Sequence, residues 1–545
     1  MTIPKRALWL SSCALAFFSK KYAPGSPFTQ GGYVKTIIAL FAIQYFAQAF
    51  YNILIYPFFL SPLRHLPQPP GGHPILGHFP RIFRDPSGEP QREWMDTVPN
   101  DGVLYYRWLF NESRVLVTNP KALAEVLVQR NYEFIKPGRI RKGLGRLLGV
   151  GILLAEGDEH KRQRKALMPA FAFRHVKDLY PIFWSKSQEM TNLILKTADR
   201  AADNSIVIEV RDWASRATLD IIGSAGMGKD FSSLSHPENE LFQTYKKIFS
   251  STRGAQVIQL LLGFLPHWVA VNLPLKRNDE IGEAVGTIKK VSRDLIAQKR
   301  AQMARGEKPS HDILSVAMES GGFSDEDLVN QLMTFLAAGH ETTASAMSWA
   351  VYCLCQYPET QRKLREELRS QLPALLDPSA QISSADIDRL PYLNAVLNET
   401  MRVFPPVPLT MRETANDTTI CGSFVPKGTT VVIAPWAINT SHELWGADAR
   451  EFNPDRWLGN NANSGGAESN YATVTFLHGP RSCIGKAFAL SEFACLVASL
   501  VGRFEIEFEE GEWELKIQGG ITARPKGGLR VRLREVGEGV EKVGA

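Results

Sequence analysis

Cys483 stands in FLHGPRSCIG, residues 476–485, between Gly479 and Gly485 and just ahead of the helix-like run KAFALSEFACLVASLV. A cysteine at the mouth of a helix meets the positive end of the macrodipole and unpaired backbone amides, and both favour the thiolate. The two glycines let the backbone approach a bulky flat group, or turn sharply so that amides face the sulfur. No CxxC motif and no nearby Cys/His cluster completes a zinc site. Three readings stay open for these ten residues. They are a surface turn, a nucleophile whose histidine base lies elsewhere in sequence (His478 being too close), and a single axial thiolate on haem iron.

Three further stretches carry reactive or charged groups in restricted patterns. In AAGHETTASA, residues 337–346, Glu341 and Thr342 follow Gly339 inside a mostly apolar run from Ser324 to Tyr357. An acid and a hydroxyl there are costly unless paired, functional or on a solvated stripe. Glu399 and Arg402 share a helix face at i, i+3, and FNPDRW (452–457) supplies Arg456. EGDEHKRQRKALMPAF (156–171) places His160 and Arg164 four apart amid Lys161, Arg162 and Lys165. That basic run reads as a solvated face or as a docking patch for an acidic electron donor.

These residues need elements to hold them. Ser324 with Asp327 predicts an N-terminal cap for the long run, and Pro358 its stop. GVLYYRWLF and SRVLVTN, flanking Asn111 and Glu112, predict a hairpin; FEIEF (504–508) and LRVRLRE (529–535) alternate and predict short strands. Between about Pro120 and Thr400 the pattern is mostly helical. The expected class is therefore mainly α with small β-sheets, and the absence of GxGxxG and P-loop patterns argues against a dinucleotide fold. GNNANSGGAESN (459–470) is expected as a surface loop.

Composition bounds the rest. The chain has 545 residues, 44% hydrophobic and 22% charged, and a net charge of +6, which describes a globular protein and does not suggest nucleic acid. Six scattered cysteines are no disulfide framework, and Cys353 and Cys355 read as buried free thiols. Thr36 to Tyr56 carries no charge and is long enough to cross a hydrocarbon core of about 30 Å. Expected boundaries are an anchor over 1–60 with its span at about 36–56, a proline-rich hinge over 61–78 and a catalytic domain over 79–545. The earlier apolar run Ala7–Phe18 is short for a span and reads as a signal-peptide core, a second short span or an interfacial segment. Lys5, Arg6, Lys20, Lys21 and Lys35 precede the main span and only Arg64 closely follows it, so charge alone does not point to a cytosolic main domain.

Phe476, Gly479, Arg481, Cys483 and Gly485, together with AGHETT, ETMR and NPDRW, resemble the signatures of the cytochrome P-450 family, in the family's order and over nearly everything after the anchor. The resemblance implies a single large P-450 domain and a haem-thiolate monooxygenase, in style similar to fungal secondary-metabolism members. It implies that Cys483 is the axial iron ligand, that Phe476 shields the sulfur and that Gly485 belongs to the haem-binding loop. Arg481, Arg412, His160 and Arg164 would contact haem propionates, with His160 where tryptophan is common. Thr342 and Glu341 would steer protons during dioxygen cleavage. Glu399, Arg402 and Arg456 would form a folding network.

Leu477 departs from the family's usual small or polar residue. Ala338 replaces the glutamate that some members ester-link to haem, so the resemblance implies non-covalent haem b. It further implies electrons from a separate NADPH–cytochrome P-450 reductase, with cytochrome b5 as a second donor, and an endoplasmic reticulum membrane location with the catalytic domain facing the cytosol. The substrate is expected to be lipophilic: a terpenoid, polyketide or alkaloid, or else a fatty acid or xenobiotic. Rival readings are a reductase-independent isomerase or dehydratase of the same fold, which the acid–alcohol pair disfavours, and a non-catalytic haem-thiolate ligand-binding protein.

Overall fold

Ser324 and Asp327 start the longest helix as expected. The Ser324 hydroxyl accepts from the Asp327 amide at 3.2 Å, and the Asp327 carboxylate accepts from the Ser324 amide at 3.1 Å. The resulting central helix, Asp325–Gln356, is buried along most of its length because apolar and small residues surround it on all sides. It ends before Pro358, which opens the helix Pro358–Gln371. The computed structural model describes residues 4–23, 25–26, 32–197, 205–249, 254, 257–258, 261, 265, 267–307, 312–375, 382–511 and 513–537.

The helices Val210–Ile221, Pro391–Val403 and Lys486–Arg503 (the cysteine helix) pack on the central helix. They form the main core with Phe183, Leu336, Met347, Phe493 and Leu500. Five strands form the larger sheet: β1 (Val103–Arg107), β2 (Ser113–Val117), β3 (Phe134–Ile135), Thr410–Thr414 and Thr430–Ile433. The hairpin holds, with Tyr105 opposite Val115. β2 runs parallel to Thr430–Ile433, with Val115 beside Val431, so chain segments over 300 residues apart close one sheet. Phe504–Phe508 and Arg530–Glu535 pair antiparallel, as their alternation predicts, and Ile206–Glu209 adds a third strand. Residues 459–470 form turns at the surface.

At the N-terminus, Lys5–Tyr22 is one helix. Gly32–Phe50 continues into a wider π-helical stretch, Tyr51–Leu60, that contains Pro57. Proline lacks the amide needed for a regular turn. The run Gly32–Leu60, 29 residues long, is apolar and long enough to cross a membrane, and none of its most apolar window is buried. Its C-terminal end already touches the catalytic part: Asn111 Nδ2 donates to the Ile53 carbonyl at 2.8 Å.

Candidate functional site

The cysteine loop is tied at both ends. The Cys483 amide donates to the Phe476 carbonyl at 2.8 Å, and Ser482 N–H donates to Gly479 O at 3.0 Å. Gly479 has φ +76°, and a Cβ there would sit 2.3 Å from the Leu127 carbonyl, so only glycine fits. Leu477 also takes a left-handed φ, +56°, and compensates by packing on the core around Leu123 and Val126. Gly485 is different: its φ is −87° and its Cβ position meets only Phe171 at 3.7 Å. Its contribution is its amide, which faces the Cys483 sulfur.

Cys483 lies deep in the protein yet retains exposed surface, so it opens onto an internal space. Burial pushes its pKa up, offset in part by the Gly485 amide, Arg164 and Lys486. The helix-mouth amide does favour the thiolate as expected, but without a metal on the sulfur burial outweighs it and the cations. Across that space the central helix changes character. Ala338 is exposed and Gly339 and Thr342 are half-buried, although Ala337, His340 and Glu341 are buried. Phe171 joins the two walls, edge-on to Phe335 at 5.5 Å and against Gly485.

Thr342 Oγ1 donates to Ala338 O at 2.8 Å on this open face. Glu341 points away from it, as neighbours on a helix must. Arg211 Nη2 bridges both its oxygens at 2.8 and 2.9 Å, and the Thr522 hydroxyl donates to it at 3.0 Å. Thr522 is buried, and its hydroxyl is committed to Glu341; Thr410 is half-buried and accepts from Arg412 at 3.3 Å, which uses a lone pair and not its O–H. Glu492, nine residues after Cys483, makes no full hydrogen bond. Burial holds its carboxyl well above the usual range, with the nearby Thr343 hydroxyl offsetting little.

A second cluster carries excess positive charge. Arg481 donates to Glu156 at 2.6 Å and to the carbonyls of Phe134 and Ala155, each at 3.3 Å. Arg412 is buried and, among the described residues, has only Thr410 and the Met411 carbonyl as hydrogen-bond partners; burial with the nearby Arg481 lowers its pKa to about 10. Burial, then Arg412 and Arg481, push the Lys136 ammonium well below its ordinary value. His160 accepts from or donates to the Tyr132 hydroxyl at 3.0 Å; burial and the cations Arg481, Lys136 and Arg164 bring its pKa to about 4. Arg164 stands closer to the sulfur, donating to the Ser482 carbonyl at 2.6 Å. The predicted set Arg481, Arg412, His160 and Arg164 is thus brought together. Lys136, Tyr132 and Glu156 are additions that no spacing announces, since FIKPGRIR reads as an ordinary basic strand end.

Glu399, Arg402 and Arg456 also meet as expected. Arg402 Nε and Nη2 donate to Glu399 at 2.7 Å each, with both side chains fully buried, and Arg456 Nε donates to it at 3.1 Å. The structure adds Trp457 Nε1 at 2.8 Å and the Asn453 amide at 2.9 Å. Arg402 also holds the carbonyls of Asn439, Ala449 and Glu451. Asn439 in turn accepts from Val474 N–H at 2.9 Å and donates to Thr475 at 2.7 Å, which links the network to the start of the cysteine loop.

Among the described residues no three His, Cys, Asp or Glu side chains converge as a metal cluster, so Cys483 would bind alone. Comparison with known proteins decides what such a site is: the family model for cytochrome P450 matches residues 67–530. The chain belongs to the cytochrome P450 family. It is similar to the cytochrome P450 monooxygenase sphH of Aspergillus fumigatus, 48% identical over 513 residues, 93% of this chain and 94% of the relative. FUM15 of Gibberella moniliformis and ALT8 of Alternaria alternata, also cytochrome P450 monooxygenases, are each 42% identical, covering 89% of this chain and 90% and 91% of theirs. The protein is a haem-thiolate monooxygenase of the mainly α P450 fold, and its family draws NADPH-derived electrons through a reductase. Its residues fit that cofactor: a sulfur opening on an internal space, a helix face lined by Ala338, and unneutralised cations suited to two carboxylates.

Proposed function

We propose that Cys483 is the axial ligand of a non-covalent haem b and that the enzyme inserts one oxygen atom into a lipophilic secondary metabolite. The observation that carries the ligand assignment is the deep, open Cys483 sulfur with the Gly485 amide aimed at it. Bound there, haem supplies dioxygen activation favoured by thiolate donation. The chain's own residues do the rest. Gly485 N–H and Arg164 would stabilise the Cys483 sulfur as a thiolate ligand. Phe476 packs at the loop's start and shields the sulfur. Lys136, Arg412, Arg481 and the Tyr132–His160 pair hold the haem carboxylates.

Thr342 offers a hydroxyl proton on the open face, and Glu341 is the acid behind it, released when Arg211 lets go. Ala338 carries no carboxylate for an ester link. Phe335–Ala338, Val407–Thr410 and Gly520–Ala523 line an apolar substrate space in which Thr522 already donates to Glu341 and Thr410 keeps its O–H for a substrate; this favours a hydrocarbon-rich substrate with at most one polar contact there. The fungal relatives support a secondary metabolite.

The anchor and hinge, residues 1–78, would hold a catalytic domain, 79–545, on the cytosolic face of the endoplasmic reticulum. The helix Gly157–Leu167 presents Lys161, Arg162 and Lys165 to a reductase or cytochrome b5. Lys161 and Arg162 already pair with Asp158 and Glu159 at 2.8 and 2.6 Å, so docking there would exchange one acidic partner for another.

The test is microsomal expression with a reductase, NADPH and candidate terpenoids, polyketides, alkaloids and fatty acids, reading a mass gain of one oxygen. The reduced carbon-monoxide difference spectrum of Cys483→Ala should lose the thiolate-type Soret band. A band that survives the substitution sinks the ligand assignment.

A further inference from the structure

The N-terminal region holds two apolar helices, and they touch. Lys5–Tyr22 folds back antiparallel on Gly32–Phe50. Ser11 Oγ donates to Gln44 Oε1 at 2.6 Å, and Trp9 meets Phe41 edge-on at 5.5 Å. Lys5 lies over Tyr45 and Lys20 over Tyr33, which fixes the register at both ends. Leu8, Ser12, Ala16 and Thr36 are buried in the pair. The outer faces are bare and apolar: Leu10, Phe17, Phe18, Val34, Ile38 and Phe46 are each more than half exposed.

We propose that Lys5–Tyr22 and Gly32–Phe50 cross the bilayer together as a helical hairpin, so that the N-terminus returns to the side on which the catalytic domain lies. Three observations agree. Bare apolar surface on the outside of both helices needs lipid, while Ser11 and Gln44 meet between the helices, where Gln44 Oε1 is bonded and its Nε2 has no partner among the described residues. The depth also fits. Fifteen residues separate Lys5 from Lys20, about 22 Å at a helical rise of 1.5 Å. Snorkelling ammonium groups add a few ångströms at each end, matching an endoplasmic reticulum core of about 27 Å.

The hydrocarbon must end before Ile53, because Asn111 holds the Ile53 carbonyl and the Arg107 guanidinium lies over Phe58 at 4.2 Å. The span therefore sits closer to the N-terminus than 36–56. Finally, a single span with a cytosolic domain puts five basic residues on the lumenal side (Lys5, Arg6, Lys20, Lys21, Lys35) against Arg64 on the other. That opposes the usual cytosolic bias of lysine and arginine. The hairpin moves Lys5 and Arg6 across, giving Lys5, Arg6 and Arg64 against Lys20, Lys21 and Lys35, three on each side, and removes the conflict.

The inference rests on the anchoring proposed above, but its claim is that both ends share one compartment, whichever that is. Full-length protein in sealed microsomes would carry an Asn-Xaa-Thr epitope tag ahead of Met1 and a second epitope after Ala545. The hairpin requires both tags in the same compartment: unglycosylated and cut by added protease if the domain is cytosolic, both protected if it is lumenal. Deleting residues 4–22 should send the N-terminal tag to the opposite side and switch its glycosylation or protease access. Tags on opposite sides in the full-length protein, or release of the protein by alkaline carbonate, overturn the hairpin. The C-terminal tag alone decides whether the cytosolic orientation is wrong.

Discussion

Replacing Arg402 by Met should cost far more than replacing Arg456 by Met, although both touch Glu399. Arg402 is fully buried and serves two bonds to Glu399 plus the carbonyls of Asn439, Ala449 and Glu451. Without it the buried carbonyls of Asn439 and Ala449 and the partly buried carbonyl of Glu451 lose a charged donor, at about 1 kcal/mol each on average. Glu399 also loses its best-aligned cation but keeps Arg456, Trp457 and the Asn453 amide, which limits that part to about 2 kcal/mol. The sum is about 5 kcal/mol.

Arg456 gives Glu399 one bond at 3.1 Å and otherwise pairs with Asp448, whose side chain is 42% exposed. Its loss should cost about 1–2 kcal/mol. For a catalytic domain of about 460 residues, an unfolding entropy of about 2.1 cal/mol/K per residue makes 1 kcal/mol roughly one degree. Thermal scans of the haem-loaded proteins at one scan rate should therefore show Arg402→Met melting about 5 °C low and Arg456→Met about 1–2 °C low. Equal losses, or a larger loss at Arg456, would refute the reasoning from buried carbonyls.

Arg211→Leu should loosen Glu341, leaving it the Thr522 hydroxyl and Arg524 Nη1 at 3.6 Å, without disturbing haem; NADPH oxidation should be less tightly coupled to product, and Thr342→Ala should uncouple further with an unchanged carbon-monoxide spectrum. Lys136→Met removes a cation from the cluster proposed to hold the haem carboxylates, so haem should pass to a scavenging apoprotein several-fold faster, while Lys165→Met, exposed on the helix Gly157–Leu167, should leave that rate unchanged. His160, with a pKa of about 4 against an ordinary 6.5, stays neutral in the folded protein while the unfolded chain takes up a proton. Stability of the haem-free protein should then fall between pH 6.5 and 4, and His160→Gln should flatten that limb in denaturant titrations followed across pH.

Local pattern carried much of this protein. The capping pair Ser324–Asp327, the hairpin around Asn111, the alternation in FEIEF and the i, i+3 pair Glu399–Arg402 were legible because each depends on residues within a turn or a strand of one another. So was the lone cysteine between glycines, whose spacing carried the family resemblance.

What spacing does not encode is which distant group faces a side chain. Arg211 meets Glu341 across 130 residues, and Lys136 joins Arg412 and Arg481 only because strand β3 pairs with Thr410–Thr414. The Cys483 thiol followed the same rule: the helix-mouth amide pulls its pKa down, and burial, a property of the whole fold, pushes it up. The short run Ala7–Phe18, readable from sequence as a signal-peptide core, a second short span or an interfacial segment, acquires a helical partner only in the fold, where Gly32–Phe50 lies against it. The sequence determined which atoms are reactive; packing determined their charge, their neighbours and the side they face, because desolvation and long-range pairing exist only in the assembled structure.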